Sequence, residues 1–170
     1  MFKYGCWSYN HCFKRIIHYS EREKNRSKTV MKKKKNKNDL VIKTKQRILR
    51  ETKSSQKEYI TTYKDIKRYF RVFNKTLFKG KLNAFNDIQI KNMKTAYGQC
   101  VENLSYRKGT SFFVLEMMPK FSSKREFLNT LAHEMIHLWQ QTVKKDTGNH
   151  NSLFFSFKPK FKKIGLELTL

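Results

Sequence analysis

The sequence predicts a small α+β domain in residues 55–170. Apolar residues between 60 and 77 recur at three- and four-residue steps, which is the spacing of an amphipathic helix. Three strand-like segments between 88 and 117 have turn-length connections, which is typical of a small, mostly antiparallel sheet. A second helical pattern runs from Ser123 to Gln141, and an apolar segment follows it. The predicted order is therefore a long N-terminal helix, three strands, a second helix and a C-terminal helical segment.

Residues 1–54 are predicted to be a basic, disordered arm. Residues 21–38 form a low-complexity run that includes four consecutive lysines at positions 32–35. Aromatic residues before that run are mixed with cysteines and histidines whose spacing is not that of a zinc finger. These are Cys6, His11, Cys12 and His18. A poorly ordered segment is therefore favoured over a second metal site.

The chain carries a formal net charge of +25, and its pI is about 10.1. Residues 1–55 hold 17 Lys and Arg against 4 Asp and Glu, while residues 56–170 hold 21 against 9. Both parts are therefore strongly basic, which favours a polyanionic partner through phosphate contacts and counterion release. We expect a nucleic acid. The alternative is a protein from a Lys- and Asn-rich proteome whose surface simply stays solvated.

The first helix is predicted to begin at a capping box of Ser55 and Glu58 and to stop at Gly80. Its apolar stripe is expected to be core rather than a ligand site. Basic residues occupy its other faces and are candidates for contact with nucleic acid. These are Lys64, Lys67, Arg68, Arg71 and Lys75.

The three predicted strands have different signals. Ile88 and Ile90 alternate with polar residues. Residues 95–101 form the second strand, in which Gly98 suggests a bulge or a close backbone approach. Residues 111–117 form the third.

The second helix carries the motif His133-Glu134-x-x-His137. Ser123 and Glu126 form a capping box that can start this helix. Residues four apart lie one turn above each other, so both imidazoles project from one side with Glu134 beside them. Two histidines that merely happen to lie four apart on a buried helix are the alternative.

This pattern suits catalytic zinc. Zinc accepts neutral imidazole nitrogens, and a catalytic site uses three protein ligands and leaves one position to water. The metal lowers the pKa of that water and polarises a substrate carbonyl. Glu134 is the candidate general base.

A third ligand must come from elsewhere in the chain. Downstream candidates are Asp146, His150 and Glu167. His150 is favoured because it follows Gly148-Asn149, a turn signal that can return the chain to the helix. A solvent-exposed loop histidine is the alternative. The extended metzincin pattern is absent, since Gln140 and Val143 stand where it needs Gly and His.

The C-terminal segment is aromatic and basic. Its apolar residues are Phe154, Phe155, Phe157, Phe161 and Ile164. Packing against the second helix is favoured over stacking on nucleic-acid bases. Pro159 should divide the segment and Gly165 should end it. Four lysines, which we call the C-terminal lysines, place charge near the motif. These are Lys158, Lys160, Lys162 and Lys163.

Several further segments carry a family resemblance. They are Phe73-Asn74 with the run 77–82, Ala96-Tyr97-Gly98, the run 130–137, and the late His150. With them, the run from Tyr69 to Leu166 resembles a SprT-like domain, the metallopeptidase family that includes SprT and Spartan. Two features depart from the family pattern. Asn151 stands where the family usually has Gly, and no four-cysteine zinc ribbon follows, since Cys100 is the only cysteine beyond residue 12.

The resemblance implies a zincin-like fold and a zinc-dependent endopeptidase that acts on proteins bound or crosslinked to DNA. His133, His137 and His150 would hold the metal, and Glu134 would move the proton. An extended substrate would add to the sheet edge beside the active helix, and Phe112–Leu115 is expected to be that edge. Tyr97 and Tyr106 are both available to stabilise an oxyanion.

Two other functions stay open. One is a non-catalytic, basic, zinc-containing DNA-binding protein, against which the intact Glu134 argues. The other is a general intracellular metallopeptidase. Three cysteines without disulfide spacing favour a reduced, intracellular compartment, namely the cytoplasm, nucleoid or nucleus. No signal peptide, membrane span or membrane partner is expected, and the protein is expected to be a monomer.

Overall fold

The computed structural model describes residues 10–53, 57–105 and 109–168; among these, side chains at 10–20, 22, 32–35 and 37 are not described. It confirms the α+β class. The chain divides into two compact units, one ending at Asp39 and one running from Leu40 to Leu170. None of the described helices has the length and apolar character needed to cross a bilayer.

Helix α1 spans Asn10–Thr52, so the described part of the predicted disordered arm is helical. Lys, Arg, Glu and Met are good helix formers, and they dominate its low-complexity stretch. The predicted boundary at residue 54 also differs from the observed one, because residues 40–52 belong to the larger unit. The Cys and His residues before position 20 lie outside the described side chains.

The end of α1 is held within the larger unit by both apolar and polar contacts. Ile48 is fully buried there. The Glu51 carboxylate accepts hydrogen bonds from the Tyr69 hydroxyl, from Lys124 Nζ at 2.8 Å and from Arg68 Nη2 at 3.1 Å. These contacts join the end of α1 to the next two helices.

Helix α2 spans Tyr63–Leu77 and begins later than the sequence predicts. Its N-cap is Thr62, whose hydroxyl accepts from the Asp65 N–H at 3.1 Å. The predicted cap at Ser55 lies outside the described residues, and strand β1, Tyr59–Ile60, precedes the helix. The helix ends at Leu77, three residues before the predicted stop; Lys79, with a φ of 59°, is the first left-handed residue after it, and Gly80 follows with a φ of 74°.

The main sheet contains β2 (Asp87–Ile90), β3 (Gly98–Ser105) and β4 (Thr110–Met117) in the order β2-β4-β3. The β3–β4 hairpin is antiparallel, whereas β2 pairs with β4 in parallel. The expectation that Phe112–Leu115 forms the edge is therefore wrong. A crossover places β2 on the far side of β4, and the buried β4 becomes the central strand.

Helix α3 spans Lys124–Trp139 and starts at the predicted cap, where the Ser123 hydroxyl accepts from the Glu126 N–H at 3.2 Å. Strand β5, Lys120–Phe121, precedes it and pairs with β1. A π-helical turn over Gln140–Lys144 continues α3.

The chain ends in two short helices, α4 (Ser152–Phe155) and α5 (Lys158–Ile164). Pro159 lies in the first turn of α5 and Gly165 caps its end, so both predictions are confirmed. Packing of the segment is confirmed as well, since four of its five apolar residues are buried and only Phe155 is exposed, at 39%.

Candidate metal centre

Three histidines converge beside α3. His133 and His137 come from successive turns of that helix, and His150 comes from the loop before α4. His150 Nε2 lies 2.9 Å from His133 Nε2 and 3.2 Å from His137 Nε2. In the described part of the chain, these three residues form the one group of potential metal ligands found, with ligand atoms within 4.8 Å of one another.

The three nitrogens fit a metal ion. Imidazole nitrogens on a tetrahedral zinc, at about 2.0–2.1 Å from it, lie about 3.3 Å apart, close to the observed separations. Metal binding also needs neutral imidazole. Burial lowers the pKa of His137, as does the nearby His150, while hydrogen bonding to Gln140 and to the Gly148 backbone opposes the change. This donor set could therefore hold a metal ion at neutral pH.

Phe154 packs against all three imidazoles. Its ring stacks on His137 at a centroid distance of 5.0 Å and meets the rings of His133 and His150 edge-on at 4.8 and 4.5 Å. It is fully buried. The ring therefore forms an apolar wall that restricts the rotation of the imidazoles.

Glu134 lies beside the histidines with only 5% of its surface exposed. Burial raises the pKa of its carboxyl to about 8, and a hydrogen bond from the Cys100 backbone N–H opposes the rise. A carboxyl held in so apolar a place can exchange a proton near neutral pH. Cys100 belongs to β3, so strand and helix together set the environment of this carboxyl.

Gly98 allows β3 to approach α3. A Cβ atom placed on it would lie 2.6 Å from Thr130 Cγ2 and 3.1 Å from Glu134 Cγ. The close approach expected at this glycine is confirmed, since real Cβ atoms essentially never lie as close as 2.6 Å to another atom and a contact of 3.1 Å is tighter than most.

A cleft of about 990 Å³ is lined by residues of β3 and α3, and the three histidines and Glu134 are among the residues that line it. Tyr97 lines it and is 56% exposed. Tyr106, the other candidate for oxyanion stabilisation, lies outside the described residues. β3 is the strand of the main sheet that borders the cleft.

The other two candidates for a third ligand lie elsewhere. The Asp146 carboxylate accepts from the side-chain amides of Gln140 and Asn151, at 3.1 and 2.9 Å. Glu167 is exposed and does not line the cleft.

Gln140 was not among the site residues predicted from the sequence. It is fully buried, and its Oε1 lies 3.2 Å from His137 Nδ1. The sequence does contain a signal for it. Gln140 follows His133 by seven residues and His137 by three, so helical spacing places all three residues on one face of the helix.

A helix with two histidines and a glutamate, a third histidine from a later loop and a bordering edge strand are together the arrangement of a zincin-like, metallopeptidase-like domain. The model of the SprT-like family matches residues 66–168, more than half of the chain. The chain therefore belongs to the SprT-like family, as its motifs predicted. No curated protein matches the chain in a sequence search.

Proposed function

We propose that this protein is a zinc-dependent endopeptidase. The observation that carries the proposal is the convergence of three Nε2 atoms beside a buried glutamate in an open cleft. His133, His137 and His150 would hold the zinc. When bound, zinc would polarise the scissile carbonyl and lower the pKa of a water molecule.

Glu134 moves the proton in this mechanism. Its carboxylate accepts a proton from the attacking water and then donates it to the leaving amine. Its place next to His133 and on the same helix as both His133 and His137 puts it within reach of a water molecule held at the three histidines. The Cys100 backbone N–H on β3 donates a hydrogen bond to this carboxyl and helps to orient it.

The substrate would be an extended segment of a protein. Among the described strands, β3 pairs only with β4, so its other edge offers backbone groups to the cleft. A peptide that adds to this edge would run past Glu134. Tyr97 lines the same cleft and is the candidate for stabilising the oxyanion.

DNA would bring substrates to the enzyme, in agreement with the family resemblance. The C-terminal lysines are all exposed, and so are the five basic residues of α2. Residues 1–55 add another 17 Lys and Arg. The positive charge of these groups supports the proposal that the protein binds DNA through phosphate contacts and acts on DNA-bound or DNA-crosslinked proteins.

Cleavage of a basic DNA-binding protein tests the proposal. The reaction would contain zinc, with and without single-stranded DNA, and would compare the wild type with Glu134→Gln and with the exposed control Glu167→Gln. We expect DNA-stimulated cutting by the wild type and the control, and none by Glu134→Gln. Cutting that ignores DNA would indicate a general metallopeptidase. DNA and zinc binding without cutting would indicate a non-catalytic DNA-binding protein.

A further inference from the structure

Gln140 has an unusual position for a polar residue. It begins the π-helical turn that follows α3, and its exposed fraction is 0%. A buried amide without hydrogen bonds is strongly unfavourable, so its burial requires partners. π-helical turns interrupt α-helices frequently at functional sites.

Three oxygen atoms surround the amide nitrogen of Gln140. Its Nε2 lies 2.8 Å from the Asn149 carbonyl oxygen, 3.1 Å from Asp146 Oδ2 and 3.2 Å from Asn151 Oδ1. An amide nitrogen has two protons, so the three acceptors share two donors. If the amide were rotated by 180°, its oxygen would face these three acceptor oxygens and no hydrogen bond could form. The contacts therefore determine the orientation of the Gln140 amide.

This orientation leaves Oε1 facing His137 Nδ1 at 3.2 Å. An amide oxygen only accepts hydrogen bonds, so the shared proton must belong to Nδ1. A neutral imidazole has one N–H, and Nε2 then carries the free electron pair. That pair lies on the nitrogen that faces His150 and forms part of the metal-ligand cluster.

The same amide also holds the loop that carries His150. Its partners Asn149 and Asn151 are the residues immediately before and after that histidine. Asn151 caps α4 through Oδ1, which accepts from the N–H groups of Leu153 and Phe154 at 3.0 and 3.2 Å. Its Nδ2 donates to Asp146 Oδ2, so the loop and the helix close into one network.

We propose that Gln140 is the positioning residue of the metal centre: it selects the His137 tautomer that can bind metal and fastens the His150 loop to α3. The inference deepens the proposed function and rests on its metal site. Groups that orient metal-binding histidines typically contribute 10–100-fold in metal affinity. Gln140→Met keeps a similar side-chain volume and removes every hydrogen bond that the Gln140 amide makes.

Zinc affinity, measured by competition with a chromophoric chelator, tests the proposal. We expect Gln140→Met to lose about 10–100-fold in affinity and to change the visible spectrum of the cobalt-substituted protein. The control is Thr142→Val, which removes the hydrogen bond from Thr142 Oγ1 to the Leu138 carbonyl oxygen in the same turn. Wild-type affinity and spectrum in Gln140→Met would overturn the proposal.

A second measurement uses the metal-free wild type and needs no folded variant. Long-range ¹H–¹⁵N correlation spectra report which ring nitrogen of His137 bears the proton. We expect the proton on Nδ1, and a proton on Nε2 would refute the proposed role. A wild type that has this tautomer and binds zinc but cuts nothing would remove the peptidase function and leave the positioning role standing.

Discussion

Gly98→Ala tests the close approach of strand β3 to helix α3. The added methyl would lie 2.6 Å from Thr130 Cγ2 and 3.1 Å from both Glu134 Cγ and Met117 Sδ. Overpacking of this kind costs about 1–3 kcal/mol. An alanine that fits stabilises a chain by about 0.4–1 kcal/mol, because it restricts the unfolded state. We therefore expect a net loss of about 1–2 kcal/mol in the free energy of unfolding.

Urea unfolding of the metal-free protein measures this loss, and peptide cleavage reports on the displacement of Glu134. The matched background is Thr130→Ser, which removes the atom at 2.6 Å and keeps the hydroxyl. Gly98→Ala should cost clearly less stability in Thr130→Ser than in the wild type. Equal costs in the two backgrounds, or no cost in either, would refute the reasoning from close approach.

Three other sites give predictions that unfolding or binding measurements can check. Burial raises the pKa of Glu51, but the hydrogen bonds and charges of its partners outweigh burial and hold this pKa below its ordinary value of 4.5. Glu51→Gln should therefore cost about 1–3 kcal/mol at pH 7 in urea unfolding, and this cost should shrink as the pH falls below that ordinary value and through the lowered pKa. A cost that does not change with pH would contradict the role of the ion pairs. Phe154→Ala should lower the free energy of unfolding by about 3–5 kcal/mol and weaken zinc binding. The control is Phe155→Ala, which removes an exposed ring and should change little in the same unfolding and zinc assays. Equal effects of the two substitutions would contradict the role of Phe154 as an apolar wall against the imidazoles. Replacing the four C-terminal lysines with alanine should reduce the slope of log affinity for DNA against log salt by about 1 for each of these lysines that binds a phosphate. An unchanged slope in a salt titration would mean that DNA binds at another part of the surface.

Local signals predicted α3 well. The cap at Ser123, the two histidines at helical spacing and Glu134 all depend on residues within a few turns of one another. His150 could be chosen from the turn before it, and the structure brings it to the other histidines. Gln140 was not predicted, although it lies at helical spacing from His133 and His137. A polar residue at that spacing can be assigned a role only when its partners in the His150 loop are known.

Non-local features could not be predicted in the same way. Strand order depends on which strands meet across the sheet, and periodicity contains no information about the crossover between β2 and β4. The edge strand was therefore predicted wrongly. The helical state of residues 40–52 was hidden by their basic composition, although buried Ile48 and the ion pairs of Glu51 hold the end of α1 in the larger unit.

Zinc content and peptide cleavage, compared between the wild type and Glu134→Gln, test the proposed peptidase most sharply. We expect one zinc per chain in both proteins, bound through the three histidines, and cleavage by the wild type alone. Cleavage by Glu134→Gln at the wild-type rate, with equal zinc content, would contradict the assignment of Glu134 as the group that moves the proton.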